Sequence, residues 1–305
     1  MAGTQSPPWH RLREFAAHRP LASFFVLSFA LSWLAWAPYV LSENGLGVIP
    51  LSFPVILGST QLLGVLPGAY AGPLLSAFVL TALIGGRAGL RRWLGRVTRW
   101  KVNWRWYVGV LGGVPLALAV TSLPFAGGWS VPAASVLIAY LVGLAFQLVT
   151  TGLAEEPGWR DFALPYLQPK YGPLRGTLIL GPLWGVWHLP LFFTEWGGWP
   201  HFSVVEVLEF CAAATAISVV MTWVFNRTGE SLPLAALLHI SVNNFFSTAW
   251  LPLFPTMDPR DLAHVFLIAS AVAAVVTVLA TRGRLGYRNP APVSTPPRGD
   301  RLPTG

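Results

Sequence analysis

Charge is what this chain has least of: 10% of its 305 residues are Asp, Glu, Lys or Arg, against about a quarter in soluble domains. That shortage excludes an ordinary soluble fold. Together with 54% hydrophobic residues and 15 tryptophans, it predicts an integral membrane protein whose length suits one helical bundle. Cysteine is nearly absent as well. The single Cys211 sits inside an apolar run, which excludes a disulfide framework and leaves it a packing role. No internal repeat is visible. Acid is scarcer than base, 12 residues against 20 for a net charge of +8. A basic chain can bind nucleic acid, but only with a basic face on a soluble fold. Here the positive charge lies in the connections between apolar runs, the signature of membrane topology, so the bilayer rather than nucleic acid is the expected partner.

What is present is a series of long apolar runs. Spans are expected at 21–41, 64–84, 107–123, 131–154, 176–193, 204–225, 232–251 and 263–280, each near the twenty residues that cross a bilayer core. The first is read as an uncleaved helix. It exceeds a signal-peptide core in length, and Pro38 directly follows its only small-x-small pattern, Ala35-Trp36-Ala37. Residues 1–20 form a cytoplasmic arm, 21–280 the membrane domain and 281–305 a disordered cytoplasmic tail rich in proline and arginine. The segment 87–105 interleaves seven basic residues with Leu90, Trp93, Leu94, Val97 and Trp100 and reads as an amphipathic interfacial stretch. Eight spans with both termini inside put 19 of the 20 Lys and Arg residues on the cytoplasmic side and leave only Arg260 outside.

The fold class expected is therefore all-α, a polytopic membrane bundle of about eight helices. Against that background the run Glu155-Glu156-Pro157-Gly158-Trp159-Arg160 stands out, because ionisable groups in hydrocarbon are costly and mark function by default. Glu156 and Arg160 are four apart, the spacing at which an acid and a following base meet on one helix face. Glu155 is left without a cation. By helical rise, His188 on the fifth span and His239 on the seventh reach compatible depths, with Asn243 one turn beyond His239. Each taken alone reads as an interhelical hydrogen-bonding residue. Together there are two carboxylates, two imidazoles and a carboxamide; Glu plus His is the minimum set for activating water, and carboxylates with imidazoles are also plausible ligands for a divalent metal.

These residues resemble three motifs of the CAAX-protease and bacteriocin-processing (CPBP, or Abi) family of intramembrane proteases. Glu155-Glu156-x-x-x-Arg160 matches the first. Trp184-x-x-x-His188 matches the second, with tryptophan where phenylalanine is more usual, and His239-x-x-x-Asn243 matches the third. The resemblance covers about 130–250. It implies a bundle of about eight spans around a conical intramembrane cavity open to membrane and cytosol, with cleavage near the cytoplasmic face. It also implies roles: Glu155 as general base, His188 assisting or holding the water, His239 and Asn243 polarising the scissile carbonyl, and Glu156 with Arg160 as a supporting ion pair. Members are described as metalloproteases, so a zinc-like divalent metal held by Glu155, His188 and His239 is allowed, beside a metal-free glutamate mechanism. The substrate expected is a peptide or protein at the membrane. An Arg-, Ala- and Gly-rich composition points to a bacterial plasma membrane, where peptide processing replaces prenyl-protein maturation.

Two other readings remain open on sequence. A transporter or proton-coupled carrier would also use intramembrane Glu, His and Asn, though it predicts a repeat. A non-catalytic membrane scaffold would keep the fold alone. Other polar residues are weaker: Glu206 and Glu209 are expected at an aqueous mouth, and Asn226-Arg227-Thr228 is an idle sequon on the cytoplasmic side. His10, His18, His201 and His264 carry no case.

Overall fold

The computed structural model describes residues 8–57 and 59–288. Every regular element among them is helical: α1 Pro8–His18, α2 Pro20–Leu41, α3 Gln61–Val97, α4 at 104–122, α5 Ala134–Tyr171, α6 Pro173–Phe193, α7 Val204–Arg227, α8 at 232–253 and α9 Asp261–Thr281. Six of these, namely α2, α3, α5, α6, α7 and α9, are long and apolar enough to cross a membrane. The expected third and seventh spans correspond to α4 and α8, whose Gly-rich and His/Asn-bearing turns dilute their hydropathy. Val26, Leu34, Leu137, Leu141, Val272, Val275 and Leu279 point outward, as side chains do when the surrounding solvent is lipid. The chain is an integral membrane protein.

Two helices run on past the expected spans. The second breaks close to its expected end at 84. Gly86 takes φ +56° and ψ −151°, a conformation that costs an L side chain dearly, and the chain turns there into 87–97. The arginine-rich stretch then docks against the bundle instead of floating at the interface: Trp93 donates to the Pro157 carbonyl at 3.2 Å, and Arg96 pairs with Asp161. The fourth span does not end at Ala154. α5 runs on through Pro157 to Tyr171, with π-helical turns at Leu148–Gly152 and Trp159–Ala163. Such turns absorb local irregularity within a continuing helix.

The bundle has two distinct ends. At one, Arg99 donates to the Gly229 carbonyl and Ser231 to that of Arg99 at 2.6 Å. Asn226 there binds Gln168 at 2.7 Å and the Leu285 carbonyl at 3.0 Å. Residues 282–288 thus pack against the bundle, with Leu285 fully buried; the rest of the expected tail, 289–305, and residues 1–7 of the expected arm lie outside the described residues. At the other end Glu195 accepts from Asn44 at 2.9 Å and Thr60 at 2.8 Å, while Ser130 donates to the Leu253 carbonyl at 2.8 Å. α7 connects the ends and packs most extensively against α6 and α9. Cys211 on α7 sits against Gly185 of α6, a packing role as expected.

Candidate active site

Residues 154–164 of α5 are buried without interruption. This charged segment tolerates the interior because its neighbours approach closely and supply partners. A Cβ on Gly158 would lie 2.5 Å from that of Pro73, so glycine is what lets α3 press onto the motif.

One face of the motif is committed to ion pairing. Arg160 Nη1 lies 3.4 Å from Glu156 Oε1 and Nε lies 3.3 Å from Oε2. The same guanidinium donates from Nη2 to Ser218 Oγ at 3.0 Å and approaches Met221 Sδ at 3.1 Å, and it sits 4.3 Å over the Trp184 ring. His239 Nδ1 meets Glu156 Oε1 at 2.8 Å. These partners offset part of the desolvation cost of a buried ion pair, although Glu156 Oε2 and Arg160 Nε make no hydrogen bond of good geometry. Below it, Asp161 is 1% exposed and takes Arg96, which also reaches Glu230 at 3.4 Å.

The other face looks into open space. Glu155 Oε2 accepts from Trp184 Nε1 at 2.7 Å and lies 4.0 Å from His188 Nε2. His188 stands where the α-helical part of α6, Pro173–Trp187, gives way to a tighter turn at Leu189–Phe193. Its Nδ1 bonds the Trp184 carbonyl at 2.9 Å. A carbonyl only accepts, so the proton is on Nδ1, and in the neutral ring Nε2 carries the lone pair toward Glu155. Trp196 stacks on the same ring at 5.6 Å and 12°. Asn243 Nδ2 is 3.4 Å from His239 Nε2. Glu155, His188, His239 and Asn243 all line one cavity of about 740 Å³, walled by Phe146, Trp196, Phe210, Phe246 and Phe266 among others.

The structure therefore brings the sequence-selected residues together, with one addition. Glu156 answers to His239 as well as Arg160, so the ion pair orients an imidazole besides stabilising the motif. The cavity does not open at the arginine-rich end: its rim includes Ser59, Gln61, Glu195, His201, Glu206 and Arg260, all in segments read as external. The buried run 154–164 forms the floor of the cavity on the arginine side. Finally, no three His, Cys, Asp or Glu side chains among the described residues are grouped so as to hold a metal ion. His188 and His239 each commit Nδ1 to an acceptor, the Trp184 carbonyl and Glu156, which leaves both Nε2 atoms toward the cavity, an arrangement that also orients metal-ligating imidazoles.

Some participants carried no usable sequence signal. Trp184 was legible as a motif position but not as the donor to Glu155. Asp161 and Arg96, 65 residues apart, follow no helical spacing. Of the expected mouth residues, Glu206 lines the rim and caps α7 through Ser203, whereas Glu209 pairs with His264 at 2.7 Å.

Fold and site together define a membrane-embedded helical bundle with a Glu/His/Asn-lined chamber. Residues 137–245 match the family model described as type II CAAX prenyl endopeptidase Rce1-like, so the likeness seen in the three motifs holds over that region. CAAX prenyl protease 2 of Methanococcus maripaludis is 24% identical over 168 residues, a match taking in 54% of this chain and 59% of that protein. The chain thus aligns with somewhat more than half the length of this curated relative.

Proposed function

We propose that the protein is an intramembrane endopeptidase of the CAAX-protease type, hydrolysing a peptide bond of a membrane-associated protein or peptide. The observation that carries this reading is the pairing of Glu155 with the His188 Nε2 lone pair, 4.0 Å apart at a cavity wall. That span is too long for a direct hydrogen bond and suits one water donating to both acceptors. In the proposed step the oxygen of that water attacks the scissile carbonyl carbon while Glu155 takes its proton. The carbonyl π electrons move to oxygen, where Asn243 Nδ2 donates to the oxyanion. Collapse breaks the C–N bond, and the proton held by Glu155 passes to the leaving amine. Glu156 accepts from His239 Nδ1 and fixes that ring, on the orienting logic of an acid–imidazole pair. Trp184 fixes the Glu155 rotamer. No step is routed through a metal. The relative's name, a CAAX prenyl protease, supports a substrate anchored at the bilayer. The distribution of Lys and Arg supports both termini in the cytoplasm, and the composition supports a bacterial plasma membrane.

Cleavage of a membrane-anchored peptide by purified protein and by Glu155→Ala, each with and without chelator, tests this. The expected result is cleavage by the parent in both conditions and none by the variant. Equal cleavage by both proteins removes Glu155 from the mechanism, and loss with chelator overturns the metal-free reading.

A further inference from the structure

A second cavity, of about 340 Å³, lies apart from the candidate site, between α4 and α7 toward the arginine-rich end. Trp106, Val110 and Val114 of α4 line it against Val220 and Trp223 of α7, with Leu238 of α8 behind them. The two indoles meet edge to face at 5.0 Å. α4 is bare of side chains here. Its π-helical turn Gly109–Gly113 carries three glycines, and a Cβ on any of them would meet no atom within 4 Å. Gly109, which lines the groove, has φ −61° and ψ −41°, so neither backbone conformation nor packing demands a glycine. What its missing side chain leaves is space. Val108, Leu116 and Val120 of the same helix point outward, so the groove sits on a surface that faces hydrocarbon.

One end of the groove is charged. Arg105 lines it and is exposed, and among the described residues no carboxylate pairs with it. Its neighbours Trp100 and Trp104 are exposed as well, and Tyr107 donates to the Trp100 carbonyl at 2.6 Å. Trp and Tyr beside basic residues mark the headgroup level of a bilayer. From Arg105 the wall runs nine residues to Val114, about 13 Å of helical rise from headgroup level into the apolar layer. A wall with so few polar atoms gives water little to bind.

We infer that this groove binds an anionic phospholipid of the surrounding bilayer, one acyl chain lying between α4 and α7 and the phosphate meeting Arg105. A guanidinium offers a phosphate paired donors in a fixed plane. A net-negative headgroup is neutralised by that contact, whereas a zwitterionic one carries its own cation, which competes for the phosphate. The bound lipid braces elements that hold the candidate site. Leu238 directly precedes His239, and Trp223 follows Met221 by two residues on α7. The inference holds whichever leaflet this end of the bundle faces, and it does not rest on the endopeptidase reading.

Native mass spectrometry of the full chain in detergent, titrated with phosphatidylglycerol or phosphatidylcholine, tests it. The variants are Arg105→Gln and Gly109→Leu, with Arg91→Gln, also exposed at the arginine-rich end, as control. The parent should bind phosphatidylglycerol more tightly than phosphatidylcholine. Arg105→Gln should weaken phosphatidylglycerol about fivefold, the scale of one basic residue near an anionic headgroup, and erase the preference. Gly109→Leu, which puts a side chain into the groove, should weaken both lipids, and Arg91→Gln neither. Phosphatidylglycerol should also raise the unfolding temperature of the parent and of Arg91→Gln but not of Gly109→Leu, as expected for a ligand of the folded state. Equal binding of the two lipids by the parent, equal losses in Arg91→Gln and Arg105→Gln, or undiminished binding by Gly109→Leu overturns the inference. If Gly109→Leu does not fold, the comparison of Arg105→Gln with Arg91→Gln decides alone.

Discussion

Glu155 and Glu156 are consecutive residues in one helical turn, and they face regions of opposite character. Glu156 belongs to a closed region in which Arg160, Ser218, Met221 and His239 occupy one another, continued below by Asp161, Arg96 and Trp93. Glu155, though 6% exposed, lies at the cavity wall, where one indole N–H holds it. The difference teaches how a membrane protein holds a carboxylate at a cavity wall: the paired charges beside it fix its position, and the cost of burying them is partly offset by mutual pairing. A helix rotates about 100° per residue, so adjacent residues can serve two regions that meet at Trp184, His239 and Met221.

That division can be broken from either side. The largest effect is expected for Glu155→Gln, which keeps the shape and the Trp184 donor but cannot take a proton. Peptide cleavage should fall about a thousandfold, within the range for a lost general base, while the unfolding temperature in detergent stays within a few degrees of the parent. A large loss of stability would mean Glu155 belongs to the closed region after all. Arg160→Met strands Glu156 in the interior, and stability should drop by about 3–5 kcal/mol, read by thermal or denaturant unfolding in micelles. A variant that folds as well as the parent would show that His239 alone satisfies the carboxylate.

Asn243→Ala sharpens the contrast within the open region. It should lower kcat by about a hundredfold with KM little changed, as for loss of one oxyanion donor, and steady-state kinetics distinguish that from a binding defect. Arg96→Gln probes the floor: it should cost about 2 kcal/mol, the scale of a charge-assisted hydrogen bond, and leave kcat unaltered. The smallest effect is expected for Glu230→Gln. This carboxylate is 44% exposed, and its pair with Arg96 should contribute less than about 0.5 kcal/mol in the same unfolding assay.

Much of the fold was legible because hydrocarbon imposes a strong pattern. A run of twenty apolar residues has few alternatives to a spanning helix, so all eight expected runs coincide with helical segments and disagree mainly at their ends. Those ends failed for a local reason. Beyond 84, Gly86 turns the chain into a second docked stretch, and beyond 154, Pro157 is carried inside a continuing helix by neighbouring π turns. The site residues were legible because ionisable groups are so rare in apolar runs. Their mutual assignment was only half legible: the Glu156–Arg160 pair follows from a spacing of four, but the His239–Glu156 bond joins residues 83 apart and no periodicity announces it.

The sequence by itself determined that this is a membrane helical bundle, which of its few polar residues stand out in apolar runs, and which of two carboxylates a local arginine would take. These follow from composition and from contacts within one or two helical turns. Only the tertiary structure decided that Trp184 holds Glu155, that Glu156 also orients His239, and that the buried run 154–164 floors the chamber on the arginine side. Each of these depends on how separate helices tilt and meet, and interhelical geometry is set by packing of surfaces that lie far apart along the chain.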